Sequence, residues 1–211
     1  TLVWEAGAMA GAGVTLVSGP TFLRAATSKV LARELILAGQ TEWSDGTLLF
    51  RDGGLLRNRS LFLDTAVGTH AIARAGDVTQ APLVHNQGRW QVTSAGTTSN
   101  VDLLNEGTLI VNGGGLSVRA PARFTHAPAA VLAGGAMLDL ASGALVAMGG
   151  RVEPGGTGAV GWFEVRGPYP MGPHHVLDID VTGAVPASDL LQTRDGDVTV
   201  AGRLLLRVAS L

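Results

Sequence analysis

Leu83-Val-His-Asn86-Gln-Gly88-Arg-Trp-Gln-Val92 is followed closely by Leu103-Leu-Asn105-Glu-Gly107-Thr-Leu-Ile-Val111 and preceded by a looser copy, Leu55-Leu-Arg-Asn58-Arg-Ser60-Leu-Phe-Leu63. Each phrase is a short apolar start, an Asn-x-Gly or Asn-x-Ser corner, and an alternating run. From Asn58 to Asn86 is 28 positions and from Asn86 to Asn105 is 19. That is about one coil of a β-solenoid, and repeats of this length mark folds in which each unit must be covered by the next. In Thr108–Val111 and Met137–Leu140 every second side chain can point into a common stack. Asn suits the corners because it tolerates left-handed backbone and because stacked amides can hydrogen-bond between coils. Gly two residues later permits a sharp turn. Asn58, Asn86, Gly88, Asn105 and Gly107 are therefore expected to be structural corners.

Composition agrees. Hydrophobic residues make up 46% of the 211 positions, charged residues 15%, and there are 30 Gly. This is too apolar for disorder, and the glycines lack the strict period of collagen. A net charge of −2 gives no electrostatic pull toward nucleic acid or an anionic membrane, so neither is expected as a partner. Arg outnumbers Lys 14 to 1, Lys29 being the sole lysine. The absence of cysteine excludes thiol catalysis and Cys-type zinc sites. The weakly charged stretch 127–150 contains Asp139 and repeated Gly, so membrane insertion is not expected of it. Residues 1–18 lack the basic start of a signal peptide, and the chain reads as an excerpt of a longer one.

Strand-length runs punctuated by Gly, Asn or Asp fill the chain, roughly fifteen of them. Only Ser28–Leu37 offers a helical alternative, with Ser28 as a cap; flanked by rung-like phrases, it is read as strand or irregular coil. The expected fold is all-β: a single parallel β-helix, right-handed, with regular coils over 1–150. Longer strands and a C-terminal capping region follow over 151–211, in one continuous domain. At about 4.8 Å per coil, eight to ten coils make a rod of about 40–50 Å.

Three features resemble the parallel β-helix regions of bacterial autotransporter passengers and filamentous adhesin-type surface proteins. They are Trp4-Glu-Ala-Gly7-Ala-Met-Ala-Gly11-Ala-Gly13-Val-Thr15, the Asn-x-Gly series, and the tail from Val152-Glu-Pro-Gly-Gly156. The tail includes Val165-Arg-Gly167-Pro-Tyr169, Leu177-Asp-Ile-Asp-Val181, Asp189-Leu-Leu191 and Gly202-Arg-Leu-Leu-Leu206. The chain is richer in Arg, Leu and Ala than most such passengers. The resemblance implies an extracellular or cell-surface location and a role in adhesion, display or spacing.

Candidate chemistry is sparse. His174, His175, Asp178 and Asp180 are the densest set of metal-type ligands, yet adjacent histidines on a strand point apart. Asp195 and Asp197 begin a Ca²⁺ set without completing it. Asp45 and Asp52, with Arg51, could serve sugar chemistry, but Ser-Asp-Gly and Arg-Asp-Gly are also ordinary corners. Trp4, Trp43, Trp90 and Trp162 are either a glycan-stacking track or core. Asn58-Arg-Ser60 is an N-glycosylation acceptor in a corner slot, with Arg51, Arg57 and Arg59 around it. The 28-residue step predicts an outward loop within 64–80.

No catalytic residue, cofactor or metal is assigned. The expected function is non-catalytic: a rigid spacer and weak multivalent surface, partnered by neighbouring domains of the same chain and by a host or matrix glycan or protein. The alternatives are a polysaccharide-binding or polysaccharide-cleaving β-helix and a self-assembling filament or surface-layer subunit.

Overall fold

A computed structural model describes residues 1–76, 78, 80–140, 145–182 and 188–208. Among them no residue is helical, and 26 strands stack in parallel. The parallel β-solenoid expected from the Asn repeat is present.

Most coils carry three strands, one on each of three faces, here A, B and C. Face A is a single sheet of ten strands from Leu2–Trp4 to Arg203–Val208. Face B runs through Leu48–Phe50, His70–Arg74 and Thr97–Ser99 to Leu190–Arg194. Face C carries Leu55–Asn58, Leu83–Asn86, Asp102–Asn105, Arg123–His126 and Leu145–Met148. The ladders of faces B and C meet in Lys29–Leu37: its first residues pair with Leu48–Phe50 and its last with Leu55–Asn58. The segment with helical character is therefore one nine-residue strand. Its period-2 burial of Lys29, Leu31, Leu35 and Leu37 outweighs helix propensity. Roughly fifteen strands were legible as runs, most rungs of face B among them; rungs of face C such as Arg123–His126 are too short and too polar to show a period alone.

The interior is built from columns, one side chain per coil. Thr41, Phe62, Trp90, Leu109, Leu132 and Val152 follow one another in register on face A. Successive coils take from 19 residues (Leu2 to Thr21) to 28 (Phe62 to Trp90), the surplus leaving through the corners. In the longest coil Val67 is 94% exposed in the A–B corner, within the predicted outward loop; Asp77 and Thr79 of that loop lie outside the described residues. The ladders cross residue 150 without a break, Val131–Gly134 pairing with Arg151–Pro154 and that strand with Val176–Val181. The segment expected to close the stack adds further rungs, and on its last strand Leu204, Leu206 and Val208 stay exposed.

Candidate functional site

The Asn corners come first, because they set where everything else sits. Asn58, Asn86 and Asn105 each end a face C strand, with side chains turned inward and buried. Asn58 Nδ2 donates to Asn86 Oδ1 at 2.7 Å, and Asn86 Nδ2 to Asn105 Oδ1 at 2.7 Å. The same nitrogens reach the carbonyls of Arg89, Thr108 and Val131, which open face A strands. Each amide thus ties one coil to the next across the C–A corner. In the fourth coil His126 takes the slot: Asn105 Nδ2 donates to its Nδ1 at 3.0 Å, while its Nε2 donates to Arg151 O at 3.0 Å.

Two details of corner chemistry differ from expectation. None of these asparagines has a left-handed backbone, and neither do Gly88 and Gly107. The glycines are required by close stacking instead: a Cβ on Gly88 would stand 2.2 Å from Ser60 O, and one on Gly107 2.0 Å from Gly88 O. A glycan on Asn58 would need the very nitrogen that binds Asn86 and Arg89.

The other sequence candidates disperse. Asp45 sits in an A–B corner, where its Oδ1 accepts from Gly46 N and its carbonyl accepts from Lys29 and Trp43. Asp52 lies in a B–C corner, accepting from Gln80 N. His174 is exposed, whereas His175 is inside the stack with its Nε2 2.9 Å from the Tyr169 hydroxyl. Asp178 and Asp180 do not join them: the first faces arginines, and the second accepts from Gly158 N at 2.8 Å. No group of metal-ligating side chains forms among the described residues. Asp195 pairs with Arg166 at 2.9 Å. Trp4, Trp43 and Trp90 are core, and only Trp162, 46% exposed, reaches solvent. Arg57 binds Glu34 and His85 on face C, so it forms no basic patch with the corner residues Arg51 and Arg59.

What the sequence did not reveal is a cluster on the outer side of face A. Register places Glu153 directly beside Asp178 on the adjacent strand. Arg151 Nη1 lies 3.3 Å from Glu153 and 3.2 Å from Asp178, and Arg207 Nη2 binds Asp178 and stands 3.8 Å from Glu153. Thr157 donates to the second oxygen of Glu153 at 2.6 Å. Both carboxylates are nearly covered, at 7% and 2% side-chain exposure. Burial raises the Asp178 carboxyl above its ordinary range, against the opposing pull of Arg207 and Arg151. Its Oδ1 has no hydrogen-bond partner among the described residues. The remaining lone pairs are occupied by guanidinium and hydroxyl donors, which suits a charge-compensated platform better than a proton-transfer pair. Only the register brings these four residues together.

Beside the cluster the loop Gly155–Thr157 rises over face A and walls a groove of about 450 Å³, floored by Arg89, Thr108, Ile110, Ala133 and Glu153. A second depression of about 450 Å³, with Arg151, Val176, His174 and Arg203, shares Val131 with the first. The two therefore adjoin at Val131.

Two buried polar nodes also escaped sequence reading, and both hold corners. Asp64 accepts from Thr97 Oγ1 at 2.5 Å and contacts His70 Nε2 at 2.7 Å, at an angle outside hydrogen-bond geometry. The lone lysine, Lys29, is fully buried with its ammonium on the carbonyls of Ala25, Thr27 and Asp45. Desolvation lowers its pKa, partly offset by the charges of Asp45 and Glu5.

Comparison with known proteins finds no matching family model, no matching curated protein and no matching solved structure.

Proposed function

We propose that the chain is a rigid, non-catalytic scaffold: a solenoid segment that spaces other parts of a larger extracellular or cell-surface protein and offers its lateral faces for weak, repeated contacts. The observation that carries the reading is the uninterrupted ten-strand ladder of face A, reinforced inside by the Asn–Asn–Asn–His column. Every interior coil is hydrogen-bonded to a neighbour on each side, so bending the rod means breaking ladders rather than moving a hinge. The acids of face A are ion-paired in a way that favours display over catalysis. The extracellular setting rests on the resemblance of the Trp4 phrase, the Asn-x-Gly series and the tail.

Small-angle scattering and single-molecule pulling test this together. A stiff scaffold gives a single particle with nine rungs of rise, about 43 Å at about 4.8 Å each, and resists force until coils detach cooperatively. Scattering from a bent or expanded chain, or gradual yielding at low force, would overturn the proposal.

A further inference from the structure

We infer that the outer surface of face A is a binding track for a linear acidic glycan, a chain of sugar units bearing carboxylates. Six strands in register place Arg89, Thr108, Val131, Arg151, Val176 and Arg203 in one outward column along the axis. The two depressions, adjoining at Val131, are lined between them by every residue of this column. At its centre Arg151 is neutralised by Glu153 and Asp178. At its ends Arg89 and Arg203 are exposed, and neither guanidinium has a hydrogen-bond or ion-pair partner among the described residues. Five rungs separate them, about 24 Å. In a chain of net charge −2, this leaves two uncompensated cations at fixed spacing with a polar, charge-balanced floor between them.

That arrangement selects among ligands. The planar fork of Arg matches carboxylates through paired N–H donors. Between the arginines, the Thr108 hydroxyl and the Asn112 amide nitrogen have no hydrogen-bond partner among the described residues, Asn112 using only its oxygen on Gly135 N. The Thr108 hydroxyl can also accept, so sugar hydroxyls find both a donor and an acceptor there. Ile110, Val131 and Val176 are only part-covered and give C–H faces of a sugar ring a low apolar ridge. The rung spacing of about 4.8 Å is close to the rise of one extended pyranose unit, so a glycan can repeat its contacts coil after coil. A peptide has no such purchase, because face A strands are paired on both sides along the track and leave no edge for strand addition.

The inference deepens the scaffold reading by naming what one lateral face holds, and the two fail separately: a rod that binds nothing keeps its scattering profile and its resistance to force. The test is affinity electrophoresis of the intact chain in gels containing polygalacturonate, fully methyl-esterified polygalacturonate, or neither. Retardation is expected only with the free acid and is expected to fall as salt rises. The double variant Arg89→Ser/Arg203→Ser, with an unchanged thermal melt, should bind about tenfold more weakly. Arg123→Ser, on face C, should bind like the wild type. The proposal is overturned by no retardation in the free acid, by equal retardation in the ester, by a double variant that binds as the wild type does, or by equal competition from polyglutamate.

Discussion

Asn86, like Asn105, is bonded to the side chains of the column on both sides. Its Oδ1 accepts from Asn58, and its Nδ2 serves both Asn105 Oδ1 and Thr108 O. Asn86→Ala removes three bonds at once and strands buried groups on two neighbouring coils, and each buried polar group left without a partner costs about 1–3 kcal/mol. The expected loss is about 2–4 kcal/mol, read as a lower urea midpoint at unchanged slope. Asn58 also makes three bonds, but its Oδ1 accepts from Ser60 N in its own part-buried corner and only one bond joins it to the column, so Asn58→Ala should cost less. Equal losses at the two positions would show that the amides act as independent pairs and that no column exists. The sequence made the asparagines visible and even their mutual bonding. It could not show that His126 extends the column, since His shares no pattern with Asn until geometry shows Nδ1 standing where an amide oxygen was and Nε2 where an amide nitrogen was.

At the scale of strands and corners, two kinds of glycine do different work. Gly107 has no left-handed backbone, yet a Cβ there would stand 2.0 Å from the carbonyl oxygen of Gly88 in the previous coil. Gly76 has φ of +69° and open space around it. Gly107→Ala should force coils apart and destabilise by about 3 kcal/mol, whereas Gly76→Ala carries only the left-handed penalty of about 1 kcal/mol. Thermal denaturation of the two variants separates these cases, and a milder effect at Gly107 than at Gly76 would refute the close-stacking account. The same distinction explains what was legible. Repeated Asn-x-Gly phrases disclosed the coil because corner packing leaves so few residue types allowed. Face B was largely legible in runs such as Met137–Leu140, whereas much of face C stayed hidden, since a rung such as Arg123–His126 buries only Phe124 and His126 and has no detectable apolar period. The cluster on face A stayed hidden for another reason. Glu153, Asp178 and Arg207 meet only through register, and coil length varies from 19 to 28 residues, so no fixed spacing can align them by eye.

For the whole molecule, acid is the condition that tests how the stack is held, because two of its buried histidines, His126 and His175, are almost wholly shut off from solvent. Burial is the leading cause that lowers the pKa of His126 to about 4, and burial likewise lowers that of His175 to about 4. A proton on His126 Nδ1 would also face the Asn105 amide nitrogen that donates to it. In the unfolded chain both rings titrate near 6.5. Between pH 6.5 and 4 the unfolded state therefore binds protons that the folded state refuses, and stability falls as pH falls. The drop saturates below pH 4 at about 3 kcal/mol per histidine. Asp178 and Asp189 work in the opposite sense. Burial raises their pKa values, so their ionisation opposes folding as pH rises through the carboxylate range, and acid relieves part of that cost. The histidine slope should still dominate from pH 6.5 down to about 5, above the range where ordinary carboxylates take up protons. His126→Asn separates the contributions, for it places a fourth amide where the ladder already accepts one and removes a titrating ring from the core. Neutral-pH stability should change by about 1 kcal/mol or less, while the loss between pH 6.5 and 4 should shrink by about half. Urea unfolding at a series of pH values measures both, and an undiminished acid slope in this variant would place the pH sensitivity elsewhere in the stack.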